Sequence, residues 1–139
     1  MNLRRLVALA MLIAVTGGRA YANDAMTILH QIGETWQAAY NAGDPAKVAD
    51  LYFKDAVFSS GAIGNLKGST EIEKAIADQL KKTPKITITP TQAWQSGNVV
   101  WGYGDFAFAD GSSGHYGITV LGNAGTWRIA MHVLNAKGQ

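Results

Sequence analysis

From Trp36 to Phe58 the chain reads Trp-Gln-Ala-Ala-Tyr-Asn-Ala-Gly-Asp-Pro-Ala-Lys-Val-Ala-Asp-Leu-Tyr-Phe-Lys-Asp-Ala-Val-Phe. No other stretch restricts the fold as much. Leu29, Ile32, Trp36, Ala39 and Tyr40 recur every three to four residues, which predicts an amphipathic helix over 24–42. Asn41 and Gly43 tolerate left-handed backbone and end that helix. Asp44 suits an N-cap and Pro45 a first helical position, so a second helix follows over 45–53, burying Val48, Leu51 and Tyr52. A short apolar strand runs from Ala56 to Ser60.

Residues 61–68 read as a glycine-rich loop. Thr70 and Glu73 stand at capping-box spacing and open a third helix whose apolar face is Ile72, Ala75, Ile76 and Leu80. Lys81 and Lys82 suit the negative end of its dipole, and Thr83-Pro84 stops it. Four strands remain, 85–94, 99–109, 115–121 and 126–135, separated by turn-forming residues at 95–98, 110–114 and 122–125. Helices gathered early and hairpins late predict an α+β class: a strongly curved antiparallel sheet with three N-terminal helices packed on one face.

The N-terminus reads as an export signal. Arg4 and Arg5 precede an apolar run from Leu6 to Val15, too short to span a bilayer, and Ala20-Tyr21-Ala22 is a small-x-small cleavage site. The expected division is therefore a cleaved signal, 1–22, and a single domain, 23–139. The expected compartment is the periplasm, with secretion as the alternative. Loss of residues 1–22 takes Lys plus Arg from 12 to 9 while Asp plus Glu stays at 10, so the net charge moves from +2 to −1. Such a chain lacks the charge surplus that phosphate binding needs, so no nucleic-acid partner is expected, and no membrane association after cleavage. The chain has no cysteine, which excludes disulfides and thiolate chemistry.

Particular residues carry a resemblance. Trp36-x-x-Ala39-x-Asn41-x-Gly43-Asp44, Ala49-x-Leu51-Tyr52-x-x-Asp55-Ala56, Gly68 before Ile72, and Gly125-x-Trp127-x-Ile129 with His132 together resemble the nuclear-transport-factor-2-like superfamily. The resemblance is to its small SnoaL-like branch, which includes the SgcJ/EcaC group. It implies a cone-shaped roll enclosing an apolar pocket, often dimerising through the convex sheet face. It says little of activity, since the superfamily holds isomerases, dehydratases, cyclases, hydrolases and non-enzymatic hubs. Alignment through Asn41–Asp44 puts Trp36 where ketosteroid isomerases carry a tyrosine. It puts Ser60 at or near their base and Gly117 near their sheet aspartate, so proton abstraction by that set is not supported.

A second constellation depends on strand register. With the last hairpin looping at Asn123-Ala124, or at 122–125, Leu121 faces Thr126, Thr119 faces Arg128 and His115 faces His132. Periodicity alone would send the opposite stripe, Tyr116, Ile118, Val120, Trp127, Ile129, Met131 and Val133, to the core. The resemblance sends it to the convex side, and that placement is adopted here. A paired His115 and His132 would then serve proton transfer on a small carbonyl compound. The alternative leaves His115 wet at a strand edge and His132 as a hydrogen-bonded polar residue of the roll. Three free residues in the 110–114 turn would pair Asp105 with Thr119, near Arg128; a two-residue turn would put Asp105 on the other side.

The expected catalytic set is thus His115, His132 and Asp105. The expected pocket residues are Trp36, Tyr40, Tyr52, Phe58, Trp101, Tyr103, Thr119, Arg128 and Leu134. No metal or cofactor is expected, since only Asp105 could join the two histidines as a ligand. The function read from this is an exported domain binding a small apolar or carbonyl-bearing ligand, as a homodimer through the convex face. The alternatives are a cofactor-free lyase or isomerase using the histidine pair, and a dimerising association module.

Overall fold

A computed structural model describes the backbone of residues 17–137 and side chains from Asp24 onward. Most of the expected export segment, residues 1–16, lies outside the described residues. The elements are α1 (Gly17–Asn41), α2 (Pro45–Ala49), β1 (Tyr52–Ser60), β2 (Gly64–Lys67), α3 (Ser69–Leu80), β3 (Ile86–Ser96), β4 (Val99–Phe108), β5 (Ser113–Asn123) and β6 (Thr126–Ala136). Their strands form one six-stranded sheet in the order β2-β1-β6-β5-β4-β3. The result is the expected α+β roll. Within it β1 runs parallel to β6, and the other neighbours are antiparallel.

Three local features depart from the sequence reading. The second helix ends at Ala49, not 53, because the backbone there is claimed by the sheet: Ile129 N–H donates to Leu51 C=O at 2.7 Å, and Tyr52 pairs with Ile129. The loop expected over 61–68 contains β2, paired with the end of β1. The third helix starts at Ser69 behind Gly68 rather than with a Thr70–Glu73 box, and Glu71 instead accepts the Lys67 N–H at 2.8 Å. Gly68 is needed there: its φ is +89, and a Cβ would stand 2.8 Å from Lys54 C=O.

The long helix α1 lies across the inner face of the sheet and also finishes its edge. Asn41 Nδ2 donates to Ile86 C=O at 2.9 Å, and its Oδ1 accepts the Ile86 N–H at 2.8 Å. Gln37 Oε1 accepts the Ile88 N–H at 2.7 Å. Side-chain amides thus satisfy part of β3's unpaired edge, a role otherwise taken by another strand. Leu29, Trp36 and Tyr40 from α1, Val48 from α2, Ile72 and Ile76 from α3, and Phe58, Val100, Val120 and Ile129 from the sheet form one core. Each such side chain contributes about 1.5–3 kcal/mol by leaving water.

The hairpin registers differ from those expected. Between β5 and β6 the free pair is Ala124-Gly125, with φ of 49° and 83°, so Asn123 faces Thr126 and Leu121 faces Arg128. Positive φ at both central residues is the type I′ pattern. One extra residue, Ala130, then bulges out of β6, since Val120 faces Ile129 whereas Thr119 faces Met131. Between β4 and β5 the turn is Ala109–Gly111, closed by Phe108 N–H to Ser112 C=O at 2.8 Å, and Asp105 faces His115 rather than Thr119.

Candidate ligand pocket

The bulge at Ala130 decides which side chains enter the concave face. Strict alternation from the buried Ile129 would put Met131 inside and His132 outside. The extra residue reverses this, so His132 and Leu134 point inward while Met131 and Val133 are exposed. On β5, Tyr116, Ile118 and Val120 are buried, as periodicity alone requires, and the convex placement taken from the resemblance is wrong for them. His132 therefore faces Phe58 on one side and Ile118 on the other.

His132 is 5% exposed and ringed by aromatics. Phe58, Tyr116, Tyr52 and Trp36 have ring centroids 5.3, 5.8, 6.1 and 6.2 Å from it. Burial depresses its pKa from 6.5 to about 4, so the ring is neutral at pH 7. Its Nδ1 lies 2.7 Å from the Tyr52 hydroxyl, which also accepts from Trp36 Nε1 at 3.0 Å. Burial raises the pKa of Tyr52 well above its ordinary value, so its proton stays on. An indole N–H can only donate, which leaves the Tyr52 hydrogen to point at His132 Nδ1. The reverse arrangement would strand that buried hydrogen, at a cost of about 1–3 kcal/mol. The neutral ring therefore carries its hydrogen on Nε2, which has no partner among the described residues.

His132 forms part of the wall of a narrow slot between α1 and the sheet, whose free volume is about 20 Å³, room for roughly one water. Leu29, Ile32, Gly33, Trp36, Ile86, Ile88, Phe106, Tyr116, Ile118 and Leu134 complete the lining. The Tyr116 hydroxyl is buried without a partner, and burial, aided by Asp105, raises its pKa. Its ring lies against Gly104, where a Cβ would meet it at 2.7 Å. A wider vestibule of about 210 Å³ adjoins the slot and shares Trp36, Ile86, Phe106 and Leu134 with it. Tyr40, Phe58, Ser60, Ile63, Ile76, Gln79 and Phe108 are among its other walls. No charged side chain lines either space.

Of the pocket residues expected from sequence, Trp36, Tyr40, Phe58 and Leu134 line the two spaces, and Tyr52 stands behind His132 as its hydrogen-bond partner. Trp101, Tyr103 and Arg128 are exposed on the outer face, which Thr119 shares. The expected catalytic set does not assemble. His115 lies on the outer face, its side chain 57% exposed, with Nδ1 2.5 Å from Asp105 Oδ1. Among the described residues no three His, Cys, Asp or Glu side chains gather to hold a metal ion. Tyr116 and Ile118 were missed as pocket residues although the alternating stripe on β5 contains both. Ile86, Ile88 and Phe106 carried no signal beyond being apolar strand residues.

Comparison with known proteins agrees with this architecture. The SnoaL-like domain model matches residues 34–132. No curated protein matches the chain. Solved structures do. One is a protein of unknown function from Mycobacterium tuberculosis, at 18% identity and a TM-score of 0.70 over 84% of this chain and 75% of that one. A ketosteroid isomerase-like protein from Erwinia carotovora matches at 15% identity and a TM-score of 0.70, covering 84% and 99%. A nuclear-transport-factor-2-like protein of unknown function from Shewanella oneidensis matches at 17% and 0.64, covering 81% and 98%. At these identities the likeness is one of fold.

Proposed function

The chain belongs to the SnoaL-like domain family of the nuclear-transport-factor-2-like superfamily, and from that premise we propose that it binds a small, largely apolar molecule in the vestibule that adjoins the slot beside His132. A fold of this kind is consistent with small-molecule binding or isomerase-type chemistry. The observation that carries the binding reading is an uncharged, apolar-walled vestibule of about 210 Å³ that adjoins the slot where Tyr116 Oη is buried without a partner. Unpaired buried polar groups cost stability and recur where a ligand supplies the missing partner. The lyase or isomerase alternative loses its histidine pair, and no carboxylate lines the slot to act as a base. The test is a titration of the isotope-labelled protein with small aromatic molecules, followed by NMR. Shifts confined to Phe58, Ile76 and Leu134 support the reading; shifts scattered over the outer face refute it.

A second reading concerns the outer face, where Trp94, Trp101, Tyr103, Met131 and Val133 are exposed together. Trp94 stacks on Trp101 and on Tyr103, making an aromatic ridge beside the lower strip of Gly117 and Thr119. We propose that this face pairs with a second copy of the chain, the ridge of each lying in the strip of the other. Sedimentation equilibrium of Trp101→Asp against the unaltered protein tests it, and an unchanged mass would refute it. Export to the periplasm belongs to the same proposal. It draws support from Arg4, Arg5 and Ala20-Tyr21-Ala22. The intact mass of the exported chain would start at Asn23.

A further inference from the structure

We infer that the ligand reaches the vestibule from a groove beside α3, through a gate whose moving part is Ile63. This rests on the reading of the vestibule as a binding site and adds the way in. An open groove of about 430 Å³ runs between α3 and the segment formed by β2 and the turn before it. Ala62, Ile63 and Gln79 line both that groove and the vestibule, so they form the wall between the two. Ala62 is too small to close it alone. Gln79 is held in place: its Nε2 donates to Thr83 Oγ1 at 2.6 Å, and Thr83 C=O accepts from the buried Tyr40 hydroxyl at 2.6 Å. Ile63 is left to open and shut the passage.

The turn that carries Ile63 is loosely held. It consists of Gly61, Ala62 and Ile63, between the paired Ser60 and Gly64. Its hydrogen bonds are long: Ile63 N–H to Ser60 C=O and Ala62 N–H to Ser60 Oγ, both at 3.3 Å. A Cβ at Gly61 or at Gly64 would meet nothing within 4 Å, so no neighbour confines the backbone at either end. Ile63 itself is 40% exposed, although apolar walls adjoin it. Its covered side faces Phe58, Leu66, Ile72 and Ala75 across a crevice too tight for water. The side chain therefore has a seat to close on and weak ties to keep it there, the condition for local opening. Glu71, Lys74, Asp78 and Lys82 keep the groove wet, so an apolar molecule gains by passing inward.

The test follows 2-naphthol, an uncharged apolar fluorophore, entering and leaving the purified protein by stopped-flow fluorescence. Ile63→Ala should speed entry and release alike by about tenfold, since less seated surface has to be exposed on opening. Affinity should stay the same. Gly61→Ala, at a position without positive φ, should slow both rates by roughly twofold, because alanine narrows the backbone freedom of the turn. A wall that does not move behaves differently: in Ile63→Ala release alone quickens and affinity falls. That result overturns the gate and leaves the vestibule a binding site. So do rates unchanged in Ile63→Ala, which would place the way in beside Ser112, Ser113 and Ala136. Relaxation dispersion of carbon-13 isoleucine methyls gives a readout without ligand: Ile63 should exchange between two environments and the buried Ile72 should not. An Ile63 methyl without exchange overturns the gate. No saturable binding of 2-naphthol to any of these forms overturns both readings.

Discussion

His132 and His115 lie on neighbouring strands of one hairpin, and they meet opposite surroundings. His132 points into the concave face, buried, with Tyr52 on one nitrogen and four aromatic rings about it. His115 points outward, exposed, against the carboxylate of Asp105. The same contrast recurs for other residue types. Trp36 and Tyr52 are buried inside, while Trp101 and Tyr103 are exposed outside. Side-chain chemistry is the same in each couple, so the difference lies in the face each residue occupies. An inner residue bears on the stability of the single chain. An outer one bears on what that chain can meet.

The contrast can be attacked first through the tryptophans. Trp36→Ala should cost about 3–5 kcal/mol of stability, since it empties a buried aromatic site and removes a donor from Tyr52. Trp101→Ala should cost under about 1 kcal/mol and weaken self-association instead. Urea unfolding of both variants, run well below the concentration of any dimer, measures the gap. Equal losses would mean that the outer face is also part of the single chain's core.

The next largest effect is a pH dependence. The ordinary histidine pKa is 6.5 and burial takes that of His132 to about 4. Between these values the unfolded chain binds a proton that the folded chain refuses. Stability is therefore full above pH 6.5 and falls as the pH drops to about 4, by roughly 3 kcal/mol in all. His132→Phe should flatten that slope. A slope that survives His132→Phe would assign the effect to other groups. Tyr52→Phe comes third: it orphans Trp36 Nε1 and His132 Nδ1, at about 1–3 kcal/mol. Tyr103→Phe, its counterpart outside, should change stability by less than about 0.5 kcal/mol.

How much of this could be read from the residues follows from where the signals were strong. The α1–α2 order rested on Asn41, Gly43, Asp44 and Pro45, whose backbone preferences are local, and the structure repeats it. The sheet's other strands were likewise legible from alternation, β2 excepted, since its four glycine-flanked residues read as loop. The sheet's registers were not, because each hangs on one turn residue. Ala124 adopts a positive φ that its side chain disfavours, and no local rule selects it over Asn123 as the first loop position. The bulge at Ala130 had no mark at all, being an ordinary small residue in a strand. Those two unmarked positions together moved Arg128 away from Thr119 and put His115 and His132 on opposite faces. Elements are set by sums of local preferences. A site is set by single-residue register, which such sums do not fix.

The smallest expected effect concerns Gly117, at the middle of the outer face between Tyr103 and Val133. Its φ is not positive, and a Cβ built there would meet nothing within 4 Å of this chain. Nothing internal calls for glycine, and glycine inside a strand costs roughly 0.5–1 kcal/mol relative to alanine. Gly117→Ala should therefore stabilise the isolated chain by about 0.5 kcal/mol. If a second copy rests its aromatic ridge on this strip, the added methyl group meets that ridge, and self-association weakens at the same time. Opposite signs in the two measurements would locate the reason for the glycine in the partner surface. A gain in stability with association unchanged would remove Gly117 from any contact and leave the aromatic ridge to pair elsewhere. A loss of stability would mean that the strip is packed from within, contrary to the open space above it.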